Sequence, residues 1–337
     1  MNPQPELLTD LLKATSRSVY LTLSILPKPV RAQIGLAYLL ARATDTIADT
    51  EIVSPEQRLA ALELLRGRIL GEHKRPLDFG ELAQCQNLPA ERILLERCEE
   101  ALTVLASFTI EDQKRIRTVL EVITSGQALD LRRFAGASAS AITALQNAQE
   151  LDDYTYRVAG CVGEFWTHIC RTHLFPGAKM DEAKLLSDAV RFGKGLQLVN
   201  ILRDMPADLR QGRCYLPVNE LADCGLTPAD LLLPASEGKL RPLYNRYLDM
   251  AEANLASGWE YTNALPFSGM RVRLGCAWLI LIGVKTLATL RTANPLDATQ
   301  RLKVPRSAVY GVMFWSVVLY PLPFAWRGLF PRPHVGR

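Results

Sequence analysis

Four histidines serve the whole 337-residue chain, and none stands in an H-E-x-x-H or finger-like spacing. The seven cysteines are odd in number and form no C-x-x-C pair, so neither zinc nor a disulfide framework is expected and a reducing cytoplasm suits them. Basic clusters interleaved with aromatics are missing too. With a net charge of only +4 and scattered Lys and Arg, a nucleic-acid surface is excluded and any anion is expected to bind locally. Period-two alternation is absent, which argues against sheet. Residues 1–10 hold no apolar stretch or small-residue cleavage site, so no export signal is expected. No Ser/Gly/Pro-rich linker or repeat interrupts the chain, so residues 1–337 read as a single domain.

What the chain has is apolar residues at helical spacing, as at 59–70, 94–105, 116–123 and 274–290, which predicts an all-α protein. Ser54-Pro55, Pro176-Gly177 and Asn294-Pro295 punctuate these runs as short loops or helix starts. Residues 308–326 form an uncharged apolar run between Arg306 and Arg327, near the length that spans a bilayer. Pro321 and Pro323 are expected to end its helix soon after Tyr320, leaving roughly 13 residues, too short to cross at about 1.5 Å each. Two readings of 307–326 stay open: a buried last helix, or one that dips into the membrane interface.

Two segments carry candidate chemistry. Residues 35–49, GLAYLLARATDTIAD, are apolar or small nearly all round. At about 100° per residue, Tyr38, Arg42, Asp45 and Asp49 share an arc of roughly 60°. Carboxylates one turn apart can bracket a hard cation, and a polar stripe on an otherwise apolar helix is expected to face a cavity. A solvated helix face gives the same spacing. Residues 197–208, QLVNILRDMPAD, bring Gln197, Asn200, Asp204 and Asp208 within roughly 80°, all of them oxygen donors of the kind Mg²⁺ takes. Arg203 lies beside this stripe, and Arg213 and Tyr215 follow a turn at Gly212, offering cationic and hydroxyl groups to phosphate oxygens. Pro206 is expected to kink the helix between the two aspartates. Two such stripes are harder to explain as solvated surface than one.

These residues resemble the squalene and phytoene synthase family of head-to-head prenyltransferases, across nearly the whole chain. Ser16-Arg17-Ser18 is similar to an early diphosphate-contacting segment, with Val19 where an aromatic is usual. Arg42 with Asp45-Thr46-Ile47-Ala48-Asp49 resembles the first acidic motif in its squalene synthase form. Tyr154 followed by Val158-Ala159-Gly160-Cys161-Val162-Gly163 resembles Y-x-x-x-V-A-G-x-V-G, whose small residues let another backbone or a flat polyene come close. The run from Gly195 through Gln197, Asn200, Arg203-Asp204, Asp208, Arg213 and Tyr215 is similar to the second motif, with Ala207 in place of a frequent glutamate. Lys303-Val304-Pro305-Arg306 resembles a basic segment used near the phosphates of a nicotinamide cofactor.

The resemblance implies an isoprenoid-synthase helical bundle with a central cavity, in which Asp45, Asp49, Asn200, Asp204 and Asp208 hold Mg²⁺. It further implies that Ser16, Arg17, Ser18, Tyr38, Arg42, Gln197, Asn200, Arg203, Arg213 and Tyr215 contact diphosphate, that Tyr154 steers cations, and that Lys303 and Arg306 meet NADPH. The implied reaction joins two farnesyl diphosphates into presqualene diphosphate and reduces it to squalene, in the cytoplasm and with membrane association open. Phytoene, dehydrosqualene or presqualene diphosphate synthesis are alternatives within the family. A non-catalytic helical assembly protein is the alternative of another class.

Overall fold

The computed structural model describes residues 7–16, 19–300 and 302–331. Helices begin where the sequence supplies a start. α1 (Lys28–Ala48) follows Pro27, and α2 (Pro55–Leu70) opens on a reciprocal cap in which Ser54 and Gln57 each bond the other's backbone N–H. Thr109 caps α3 (Ile110–Arg133) and Asn147 caps α4 (Ala148–Thr155), which runs through a π-turn, Tyr156–Gly160, into α5 (Cys161–Leu174). Asp181 caps α6 (Glu182–Arg210), and α7 (Glu237–Ala264), α8 (Met270–Thr292) and α9 (Arg306–Leu319) follow. β1 (Thr143–Ala144) and β2 (Arg213–Cys214) pair in parallel as a two-residue clip, so the class is all-α as the periodicity predicts. The run at 94–105 is not one helix: it breaks at Arg97 between Pro89–Glu96 and Cys98–Ala106. Its buried residues fall on both sides of the break, so periodicity does not register the kink.

Packing gathers the chain into two compact units, where the sequence reads as one domain. The first holds Met1–Ala135 and Phe165–Ala178, the second Gly136–Glu164 and Lys179–Arg337. The boundary between Glu164 and Phe165 falls inside α5, so the chain changes unit without any linker that composition could reveal.

In the first unit α1 packs against α2 and α3, burying Leu36, Leu40, Ala43, Leu62, Leu65 and Leu120. Asp112, only 1% exposed, is enclosed with a full set of donors: His173 Nε2 at 2.9 Å, Arg115 Nη1 at 2.9 Å and Gln33 Nε2 at 3.2 Å. An ionised carboxylate only accepts, so the His173 tautomer facing it carries its proton on Nε2. Burial pushes the Asp112 carboxyl up, but the bonds from His173, Gln33 and Arg115 outweigh burial and hold it below the ordinary carboxylate range. A depressed folded pKa adds stability above the unfolded value of about 3.9 that is lost as pH falls through the folded value. Asp112→Asn is therefore expected to cost about 1 kcal/mol at neutral pH and to flatten the acid limb of stability, read by urea unfolding between neutral pH and pH about 3.

In the second unit α6 lies along α7, with α8 against both. The run Phe267–Thr292 is long and apolar enough to cross a membrane, but 67% of its most apolar window is buried inside the protein, so α8 is a core helix. At the π-turn and the start of α5 two backbones touch. A Cβ at Gly163 would stand 2.1 Å from the Ala189 carbonyl oxygen, and one at Gly193 2.2 Å from that of Ala159. The small residues of the V-A-G-x-V-G segment thus admit another backbone, that of α6.

Candidate active site

The first acidic stripe stands on α1. Tyr38, Arg42 and Asp45 are half-buried, while Asp49 is exposed just past the last helical residue, its N–H still bonded to the Asp45 carbonyl at 2.8 Å. Gln127 Nε2 donates to Asp45 Oδ1 at 2.5 Å, and Arg42 Nη2 donates to Glu91 Oε1. Burial, and next the Asp49 carboxylate, push the Asp45 carboxyl up to about 6, against the opposing pull of Arg42 and Gln127. Arg42 keeps its charge: burial works against it, but Asp45 and Glu91 more than compensate, and its buried Nε finds no acceptor. Two carboxylates held this close at a cost are a donor set that a hard cation relieves. Among the described residues no three His, Cys, Asp or Glu side chains cluster tightly enough to cage a metal unaided. The two carboxylates of the stripe are oxygen donors of the kind that suits Mg²⁺, which takes a few protein oxygens and completes its shell with water and substrate phosphates.

Neither Glu91 nor Gln127 is evident from the acidic motif itself. Gln127 had a visible signal: it interrupts the buried stripe Ile116, Leu120, Ile123, Leu131 on α3 with a polar side chain. Glu91 had none, because it sits on a short helix far away in sequence.

The second stripe stands on α6, with Leu198, Val199, Ile201 and Leu202 buried on the opposite side as the helical arc predicts. Gln197 and Asp208 are half-buried, and Asn200 and Asp204 are exposed. Arg203 turns onto its neighbour in a two-pronged clamp, Nε to Asp204 Oδ1 at 2.9 Å and Nη2 to Oδ2 at 2.6 Å. The arginine expected to grip diphosphate is thus paired with its neighbouring aspartate.

Pro206 does not end α6. It has no N–H for the Leu202 carbonyl one turn back, and its ring pushes that carbonyl aside. Tyr244 on α7, fully buried, donates its hydroxyl to the Leu202 oxygen at 3.0 Å. A side chain from the next helix replaces the lost backbone donor, and α6 carries both Asp204 and Asp208 across the irregularity.

Tyr154 and Tyr215 stack at 4.9 Å between ring centroids, both nearly buried, with their hydroxyls 3.5 Å apart. Tyr215 reaches this position because β2 follows Gly212 at φ +80°, where a Cβ would also lie 2.2 Å from the Ser138 nitrogen. Arg213 lies in β2, half-buried and paired in register with Thr143. Lys303 lines a cavity of about 260 Å³ together with Arg203, Asp204, Ala207 and Arg210. Arg306 is exposed as the first residue of α9. Ser16 is buried and donates its hydroxyl to the Leu12 carbonyl, while Arg17 and Ser18 lie outside the described residues.

Residues 12–308 match the model of the squalene/phytoene synthase family. Among curated proteins the chain is 33% identical over 220 residues to a bifunctional lycopene cyclase/phytoene synthase of Blakeslea trispora, covering 62% of this chain and 32% of that protein. It is 29% identical over 316 residues to the bifunctional lycopene cyclase/phytoene synthase of Phycomyces blakesleeanus, covering 89% and 48%. The chain thus spans less than half the length of these relatives. Among solved structures, TcSQS in complex with E5700 superimposes with a TM-score of 0.76 at 20% identity, covering 96% of this chain and 90% of that one. A dehydrosqualene synthase in complex with a ligand gives 0.65 at 21%, covering 93% and 95%. At these identities the likeness is one of fold.

Proposed function

Because the chain belongs to the squalene/phytoene synthase family, we propose that it condenses two farnesyl diphosphates head to head through presqualene diphosphate and, with NADPH, reduces the product to squalene in the cytoplasm. The observation that carries this reading is the pair Asp45 and Asp49 one turn apart at the end of α1, where burial and the neighbouring carboxylate oppose the charge of Asp45 and a cation–diphosphate complex would favour it. Asp45 and Asp49 on one stripe, and Asn200, Asp204 and Asp208 on the other, are the residues that would hold Mg²⁺. When bound, Mg²⁺ neutralises the departing diphosphate. Arg42 beside the first stripe, and Arg203 and Arg213 beside the second, would supply positive charge to diphosphate oxygens.

Ionisation breaks the C1–O bond of one farnesyl diphosphate, and the electron pair leaves with pyrophosphate. The double bond of the second substrate attacks the allylic cation, and loss of a proton to the released pyrophosphate closes the cyclopropane; departure of the second pyrophosphate from presqualene diphosphate, with rearrangement, leaves the cation that a hydride quenches. The stacked rings of Tyr154 and Tyr215 offer π-faces to such cations. Lys303 and Arg306, with Arg210 beside Lys303 in the same cavity, would hold the phosphates of NADPH, which when bound supplies the hydride of the last step.

A second reading is favoured by the names of the curated relatives: phytoene synthesis, from longer geranylgeranyl diphosphate and without reduction. Purified protein with Mg²⁺ and either diphosphate, with and without NADPH, is expected to yield squalene from farnesyl diphosphate only when NADPH is present, as read by mass spectrometry. Dehydrosqualene regardless of NADPH would remove the reductive step, and phytoene from geranylgeranyl diphosphate would establish the second reading. No product from either substrate would overturn both.

A further inference from the structure

The helix α9 has two unlike sides. On one, Val312, Ser316 and Tyr320 recur every fourth residue and are buried: the Trp278 indole N–H donates to the Ser316 hydroxyl at 2.9 Å, and Tyr320 donates to the Phe267 carbonyl. The following turn is pinned as firmly. Trp326 is 1% exposed, stacks on Trp259 at 5.2 Å and donates to Asn263 at 2.9 Å, while the Arg273 guanidinium lies over the rings of Tyr320 and Trp326 at 5.3 and 5.5 Å.

The other side is apolar and bare. Tyr310, Phe314 and Trp315 are 62%, 61% and 54% exposed, and Phe324 is 95% exposed, with Val318 and Leu322 joining them. An apolar groove of about 400 Å³, lined by Leu281, Val284, Gly311, Trp315 and Leu329, continues this surface inward. Exposed aromatics gathered in this way mark a contact surface, since single scattered apolar residues would need no explanation.

Charge says what covers it. Residues 298–337 contain Arg301, Lys303, Arg306, Arg327, Arg332 and Arg337 and not one Asp or Glu. A second copy of the chain docking face to face through this helix would set like charges against like, because a two-fold interface pairs the same patch with itself. Trp, Tyr and Phe flanked by Arg and Lys match instead the boundary between acyl chains and anionic headgroups. A helix of 14 residues reaches only about 21 Å, short of the roughly 30 Å hydrocarbon core, and its buried edge is already committed to α8.

We infer that α9 and the turn after it dock the protein on an anionic membrane surface, α9 lying in the plane of the interface with Phe314, Trp315 and Phe324 inserted. The docking does not rest on the proposed reaction, and it is read without turnover. In flotation with phosphatidylcholine vesicles containing phosphatidylglycerol, the full chain is expected to rise with the vesicles, and to do so far less with pure phosphatidylcholine or in high salt. Replacing Phe314, Trp315 and Phe324 together by serine is expected to lower binding at least about tenfold, the equivalent of about 1.4 kcal/mol, with an unchanged circular dichroism spectrum because all three are exposed. Flotation that ignores lipid charge, or that survives the triple replacement, would overturn the inference. So would a chain that stays out of every vesicle but self-associates through α9, with the triple variant monomeric on a sizing column.

Discussion

Asp45→Ala is expected to lower turnover about a thousandfold, roughly 4 kcal/mol of transition-state stabilisation, without lowering the unfolding temperature. The carboxyl is held where burial and Asp49 both oppose its charge, so the fold gains nothing from it at neutral pH. The sign follows from the raised folded pKa: an ionised Asp45 costs stability above that pKa, and an alanine removes the cost. Its partner Gln127 loses one acceptor, a smaller penalty, of about 1 kcal/mol. Steady-state rates alongside thermal unfolding make the check. A variant that is inactive because it is unfolded would refute the assignment, whereas a stable, inactive one fits a residue kept for chemistry at the fold's expense.

Tyr244→Phe is expected to cost about 2 kcal/mol, because it strands the Leu202 carbonyl that Pro206 has already deprived of its backbone donor. Adding Pro206→Ala restores an N–H at position 206, so the double variant is expected to regain most of that stability in urea unfolding. Activity should not follow. The restored bond changes the backbone of α6 between Asp204 and Asp208, so the double variant is expected to need several-fold more Mg²⁺ for half-maximal turnover while unfolding like the parent. Recovery of both properties together would reduce Tyr244 to a packing residue; recovery of neither would mean that its hydroxyl is not what Leu202 relies on.

How much of this was legible depends on the range of the interaction. Both stripes, the Pro206 irregularity, the Gly212 turn and the early end of α9 at Leu319 follow from spacing along one helix or turn, which a sequence displays directly. The side chains that complete the stripes arrive from elsewhere. Glu91 lies 49 residues from Arg42 with nothing local to mark it, and Gln127 lies 82 from Asp45, its polar break in the buried stripe of α3 visible but its partner not. Tyr244 is similar: Pro206 announces an orphaned carbonyl but not who answers it. The cluster of small residues around Gly160 and Gly163 was readable as close approach, yet its reciprocal member on α6, Gly193, was not, because nothing in the sequence pairs the two helices there. The two-unit partition escaped for a different reason, since composition detects linkers and the chain passes between the units in mid-helix.

The Arg203 clamp carries a thermodynamic consequence. On the proposed reading, a cation arriving at Asp204 does not meet an idle carboxylate; it must exchange with a guanidinium already seated there. The evicted guanidinium needs another anion, and a diphosphate provides one. Metal alone gains little from the exchange, and diphosphate alone finds the arginine occupied, so each raises the affinity for the other by the same factor. On that reading the cation and the diphosphate would each favour the entry of the other.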